Sequence, residues 1–358
     1  MTRRTTRARG KQPATSRIDD ILRDSVQRGA RRSALALLAD VRAARDRLDD
    51  LGDKEALHDF RVALRRLRSW LRAFRPALAD TMSSKVEQRL KRIAAATGSS
   101  RDLEVHVEWV KSARRSLSDS ARGGATWLLQ RLRRDQREAD ADFRSVIYRK
   151  FDRAAGDAEA ALSRYQASVD GDDDRFATVA AETIELQMVA LSNAVARVTG
   201  QGDRAEAHAT RIAAKRLRYL LEGVEAASPS AGALIEELKT LQDTLGELHD
   251  AQLFAGELAT MISELLAGDG PPAARRTSRP EQARTSSKRP NLAAGLRVLS
   301  RRMRRAEEKA FHSYAASWSA EATEAFGSRV AAVAAELRAV GASAARSRPR
   351  SRRTRVAG

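Results

Sequence analysis

The chain has 358 residues, and its 66 Lys and Arg outnumber 47 Asp and Glu, for a formal charge of +19. It contains no cysteine, which excludes disulfide scaffolds, thiolate zinc sites, iron–sulfur clusters and cysteine nucleophiles, and fits a reducing compartment. The best apolar run, Ala34 to Ala39, stops at Asp40, far short of a membrane span, and no apolar h-region follows the basic N-terminus. The composition therefore predicts a soluble, intracellular, cationic protein.

Residues 1–16 carry Arg3, Arg4, Arg7, Arg9 and Lys11 with no acid. They read as a disordered basic arm. Helical periodicity then predicts helices at 17–50, 53–75, 80–97, 101–117 and 121–168, with a break at Asp170–Asp174. Further helices are predicted at 175–199, 203–227, 231–246, 249–267 and 291–340, interrupted by a Pro/Arg-rich segment at 269–290. Pro76 is expected to end the second helix, and Gly98 and Gly246 stand where C-cap glycines belong. Residues 341–358 hold six arginines and no acid, a second disordered basic arm. The two arms and the 269–290 segment hold +15 of the net charge, so the folded part must be judged on how its charges are arranged. With aromatics at 4%, strong helix formers dominant and no strand signal, the fold class is all-α.

The chain repeats itself. His58-Asp-Phe-Arg61-Val-Ala-Leu-Arg65-Arg66-Leu67-Arg68 matches His208-Ala-Thr-Arg211-Ile-Ala-Ala-Lys215-Arg216-Leu217-Arg218 at an offset of 150. Leu90-Lys91 through Gly98 to Arg101-Asp102 matches Leu238-Lys239 through Gly246 to His249-Asp250 at 148. Leu128, Arg131 and Leu132 match Leu299, Arg302 and Met303 at 171, a jump that the inserted 269–290 segment explains. The reading is two tandem halves, 17–168 and 175–340, forming two four- or five-helix bundles about an approximate twofold axis.

On a helical wheel His58, Arg61, Arg65, Arg68 and Arg72 form one stripe, opposite Phe60, Leu64, Leu67, Trp70, Leu71 and Phe74. The second copy keeps His208, Arg211, Lys215 and Arg218 on its stripe but has Glu222 where the first has Arg72. Most arginine-rich helix faces are solvated surfaces paired with acids. Like charges at this spacing repel by about a few tenths of a kcal/mol per pair, so a stripe kept in phase in both halves points to an anionic ligand. If the stripes face one another they line a cationic groove or pore. A polymer with one negative charge per short repeat suits such a groove.

His-x-x-Arg-Val-x-x-Arg-Arg-Leu-Arg, repeated, with Gly-x-x-Arg/His-Asp downstream, resembles the CHAD family (conserved histidine α-helical domain) across 17–340. The resemblance implies helical bundles around a basic pore that binds inorganic polyphosphate, and targeting to polyphosphate granules in the bacterial cytoplasm. By position it implies the ligand residues His58, Arg61, Arg65, Arg66, Arg68 and Lys91 in one half. In the other it implies His208, Arg211, Lys215, Arg216, Arg218 and Lys239, with Arg101 and His249 as additions near a helix start. Many relatives also carry a CYTH triphosphate-tunnel domain, for which this sequence has neither room nor strand pattern.

The five histidines lack the i,i+4 pairing of zinc sites, so no metal or other cofactor is expected; His58 and His208 are read as phosphate donors whose protonation tightens binding between about pH 7.5 and 6. No Walker loop, nucleophile triad or carboxylate cluster for two metals is present, and no catalytic residue is assigned. Asp102 and Asp250 recur and read as caps or local salt bridges. The competing reading is non-specific DNA or RNA binding through residues 1–16 and 341–358, which lack the aromatics that stack on bases.

Overall fold

The computed structural model describes residues 14–50, 52, 53, 55–164, 175–267 and 292–346, and every regular element among them is an α-helix. The 269–290 segment, the arm as far as residue 13 and the tail beyond Arg346 lie outside the described residues. The first half holds α1 (Ala14–Leu22), α2 (Val26–Arg47), α3 (Ala56–Ala73), α4 (Arg75–Leu78), α5 (Ser84–Ala96), α6 (Gly98–Arg114) and α7 (Asp119–Ser163). The second holds α8 (Phe176–Ala196), α9 (Arg204–Val224), α10 (Ala231–Leu266), α11 (Leu292–Ser317) and α12 (Ala320–Arg346). Helix therefore begins inside the segment predicted as an arm and continues past residue 340 into the predicted tail.

The departures from the predicted boundaries have local causes. The helix predicted over 17–50 is broken at Ser25, whose backbone is extended (ψ 157°) and bridges antiparallel to Arg175. The Phe176 N–H donates to the Asp24 carbonyl at 3.0 Å, so the start of α2 is tied to the start of α8. Pro76 sits in the first turn of α4, where its missing N–H costs nothing. Neither Gly98 nor Gly246 is a C-cap: Gly98 opens α6, and Gly246 is buried inside the uninterrupted α10. The predicted 291–340 helix breaks after Ser317, where the Ser319 hydroxyl accepts the Ala322 N–H at 3.2 Å and starts α12.

Apolar stripes on these helices bury a main core that runs through both halves. Phe60, Leu64 and Leu67 of α3 are fully buried in it, as are Phe176 of α8, Leu217 of α9 and Leu238 of α10. Trp70 packs 6.0 Å from the Phe176 ring, and its indole N–H donates to the Ala30 carbonyl at 3.0 Å. Each such large side chain contributes about 1.5–3 kcal/mol by leaving water. A second cluster draws on α6 and the N-terminal part of α7 from one half, and on α10 and α11 from the other. The halves are thus interlocked through cores to which both contribute.

The halves approach closely at two crossings, one of them backbone to backbone. A Cβ on Gly124 would lie 2.5 Å from the Leu292 carbonyl oxygen, and one on Gly295 would lie 2.5 Å from the Ala121 carbonyl oxygen. These four residues are counterparts in the repeat, at the offset of 171. At the other crossing a Cβ on Gly223 of α9 would lie 2.6 Å from the Trp70 ring of α3. That approach sets the two basic helices side by side.

Candidate anion-binding site

α3 and α9 carry the two basic stripes, and their apolar faces, anchored in the core, turn the cations to a common region. Lys215 of α9 records the convergence. Its ammonium is pushed down to about 7, first by burial and then by Arg211, Arg65, Arg218 and Arg61. Two of those four cations belong to the other half. Arg61 is likewise lowered, to about 10, by burial and then by Arg65 and Arg101. Desolvation disfavours a charged group and nearby like charge disfavours it further; Asp102 and Glu104 oppose the shift of Arg61 without cancelling it, and only cations act on Lys215.

Among the described residues, Arg61, Arg65, Arg68, Arg211, Lys215 and Arg216 make no ion pair. The buried Nε atoms of Arg211, Arg216 and Arg218 and the Nδ1 of His208 have no hydrogen-bond partner. Buried donors left unpaired cost about 1–3 kcal/mol each, so the arrangement is poor for stability and ready for an acceptor. Gly246 of α10 faces the same region: a Cβ there would be in ordinary contact, at 3.7 Å, with the Arg211 guanidinium.

The predicted histidines divide. His208 and His249 stand with ring centroids 4.7 Å apart. His249 is held at about 4 by burial, then by His208, Arg211 and Lys215; burial, Arg211 and Lys215 lower His208 as well. Both rings are neutral near pH 7 without a ligand. His249 lies in mid-α10, not at a helix start. His58 is exposed, on the wall of a cleft of about 570 Å³ shared with Arg61 and Arg101, but also with Asp53, Glu55, Glu104 and Asp140.

Four predicted ligands are partly engaged elsewhere. Arg66 Nε donates to Glu222 at 2.7 Å, and Arg218 donates to the same carboxylate at 2.9 Å. Arg101 pairs with Glu104 at 2.7 Å and Lys239 with Glu236 at 2.6 Å. Lys91 is exposed on α5, and neither it nor Lys239 is among the cations acting on Lys215.

Asp102 and Asp250 are not caps. Both carboxyls are raised, chiefly by desolvation, against the pull of Arg211 and Arg101 on each, with Arg61 also acting on Asp102. Asp102 further raises Asp250, so these counterparts lie within electrostatic reach of each other at the edge of the cationic cluster. Sequence spacing had no way to show this, because it depends on how α6 meets α10. No group of three or more His, Asp or Glu side chains among the described residues is placed to hold a metal ion.

The CHAD domain family model matches residues 32–259, well over half of the chain, and the chain belongs to that family. A crystal structure of the CHAD domain from the plant Ricinus communis superposes with a TM-score of 0.54 at 21% identity, covering 89% of this chain and 93% of that one. PptA from Streptomyces chartreusis superposes with a TM-score of 0.57 at 17% identity, covering 84% of this chain and 98% of that one. At these identities the likeness is one of fold. No curated protein sequence matches significantly.

Proposed function

We propose that this protein binds inorganic polyphosphate without transforming it, in a basic groove where the α3 and α9 stripes meet, and that this binding places it at polyphosphate granules. The carrying observation is that Arg61 and Arg65 of one half act on the buried Lys215 of the other, while none of these three, nor Arg211, makes an ion pair among the described residues. A polyanion supplies the missing charges at a regular spacing, and guanidinium forks suit phosphate oxygens.

An approximate twofold relation between the halves supports a shared groove. Residues that meet their own repeat counterpart lie near such an axis, and Ser25 with Arg175, Gly124 with Gly295, and Asp102 with Asp250 all do. Arg65 and Lys215 are another such pair.

The segregation of charge into the arms favours a second, separable activity: retention of nucleic acid by residues 1–16 and 341–358. No helix among the described residues is long and apolar enough to cross a membrane. Competition between polyphosphate and double-stranded DNA at equal phosphate tests both readings. Reversing Arg61, Arg65, Arg211 and Lys215 to Glu should remove polyphosphate preference and flatten its log K versus log [salt] slope by about three. An unchanged slope would contradict the groove.

A further inference from the structure

The repeat makes Arg66 the counterpart of Arg216, Arg68 that of Arg218, and Arg72 that of Glu222. The contacts follow the same logic, with one sign changed. At one corner of the α3–α9 interface Arg66 and Arg218 both donate to Glu222, which is 12% exposed. At the opposite corner stand the counterparts Arg216, Arg68 and Arg72. There, burial and then Arg72 lower both Arg68 and Arg216. Among the described residues none of these three makes an ion pair, and Arg216 Nε is buried without an acceptor. The first corner has a formal charge of +1 and the second +3. Two guanidiniums, Arg68 and Arg216, each within electrostatic reach of the third, Arg72, and without an ion pair among the described residues, are a cost to the fold unless an anion joins them.

Resting on the polyphosphate reading, we propose that Arg72, with Arg68 and Arg216, forms an additional phosphate subsite at this corner, while Glu222 closes the equivalent corner. A long chain bound in the groove then leaves it on the Arg72 side only. Arg72 is exposed and stands where it can follow an emerging chain. Glu222 already occupies the two arginines that would serve the other exit. The approximate twofold symmetry of the scaffold is thereby converted into a polar path for the ligand, by a single position at which the halves differ.

The test uses the full chain, with long-chain polyphosphate and tripolyphosphate titrated over a range of salt. Arg72→Gln should weaken long-chain binding by up to about tenfold near 0.1 M salt and reduce the salt slope by about one. It should leave tripolyphosphate, which fits the central cluster, within about twofold. Glu222→Gln, which frees Arg66 and Arg218, should tighten long-chain binding and steepen the slope. A long-chain slope unaltered by Arg72→Gln, an equal loss for both ligands, or no tightening by Glu222→Gln would each overturn the subsite. Arg72 is on the surface, so its variant folds; a thermal melt of Glu222→Gln separates lost binding from lost structure. Arg61→Glu with Arg211→Glu is the separate control: if it spares long-chain affinity, the groove reading itself fails.

Discussion

On the proposed function, Lys215 should make the affinity for polyphosphate depend on pH in a way that can be worked out beforehand. With its ammonium lowered to about 7 in the empty site, about a tenth of the molecules are protonated there at pH 8 and about nine tenths at pH 6. A phosphate against Lys215 favours the ammonium and restores its pKa to the ordinary lysine range or above. The sign follows: the bound form has the higher pKa, so binding takes up a proton above pH 7, and affinity falls as pH rises. Below pH 7 the proton is increasingly present in the free protein and Lys215 adds less than about twofold further dependence. From pH 8 to pH 6 this one group should tighten binding about tenfold, or about 1.4 kcal/mol, with most of the gain above pH 7.

Calorimetric titration with long-chain polyphosphate measures this, because nearly every phosphate in a long chain keeps one charge across the range. Lys215→Arg should flatten the profile between pH 8 and 7, since a guanidinium stays charged. His208 and His249, both lowered in the empty site, add to the tightening as the pH falls through the value that a bound phosphate restores to them and on below it, so their contribution extends to lower pH than that of Lys215. A wild-type profile that is flat above pH 7, or one that Lys215→Arg leaves unchanged, would refute the reasoning.

Other outcomes follow from the packing and the charge partition. Gly124→Ala puts a methyl group 2.5 Å from a backbone carbonyl that cannot swing away, and should cost about 1–3 kcal/mol in a urea melt. Gly98→Ala, with nothing within 4 Å of the new atom, should be neutral or stabilising; equal stabilities would contradict the close crossing of α7 and α11. Removing residues 1–13 and 347–358, which leaves every described helix intact, should abolish retention on double-stranded DNA. It should hold polyphosphate affinity within a few-fold, as read by filter binding, and parallel loss of both ligands would place polyphosphate on the arms.

The parts of the fold set by helical periodicity were legible from residues alone. Phe60, Leu64 and Leu67 announce a buried face because they recur at the helix period, and the opposite stripe of Arg61, Arg65 and Arg68 follows from the same geometry. Helix boundaries were less legible where one residue type serves two purposes. Gly246 looks like a C-cap, but it lies buried within the continuous α10, facing Arg211; the break at Ser25 owes as much to Arg175, 150 residues away, as to its own neighbours. In the site, the two matching stripes were legible from the repeat. The engagement of Arg66 by Glu222, the sharing of Arg72 between Arg68 and Arg216, and the shift of Lys215 could not. Each depends on the α3–α9 crossing, a tertiary contact without a local signature.

The absence of native cysteine permits a direct test of the shared groove. Arg65→Cys and Lys215→Cys, placed together, can be joined by a short bismaleimide and the rate of bridging followed with and without long-chain polyphosphate. The account predicts rapid bridging across the two halves and its suppression by saturating polyphosphate. Bridging no faster than for a Cys pair at Arg65 and Lys239, or a rate that polyphosphate leaves untouched, would contradict it.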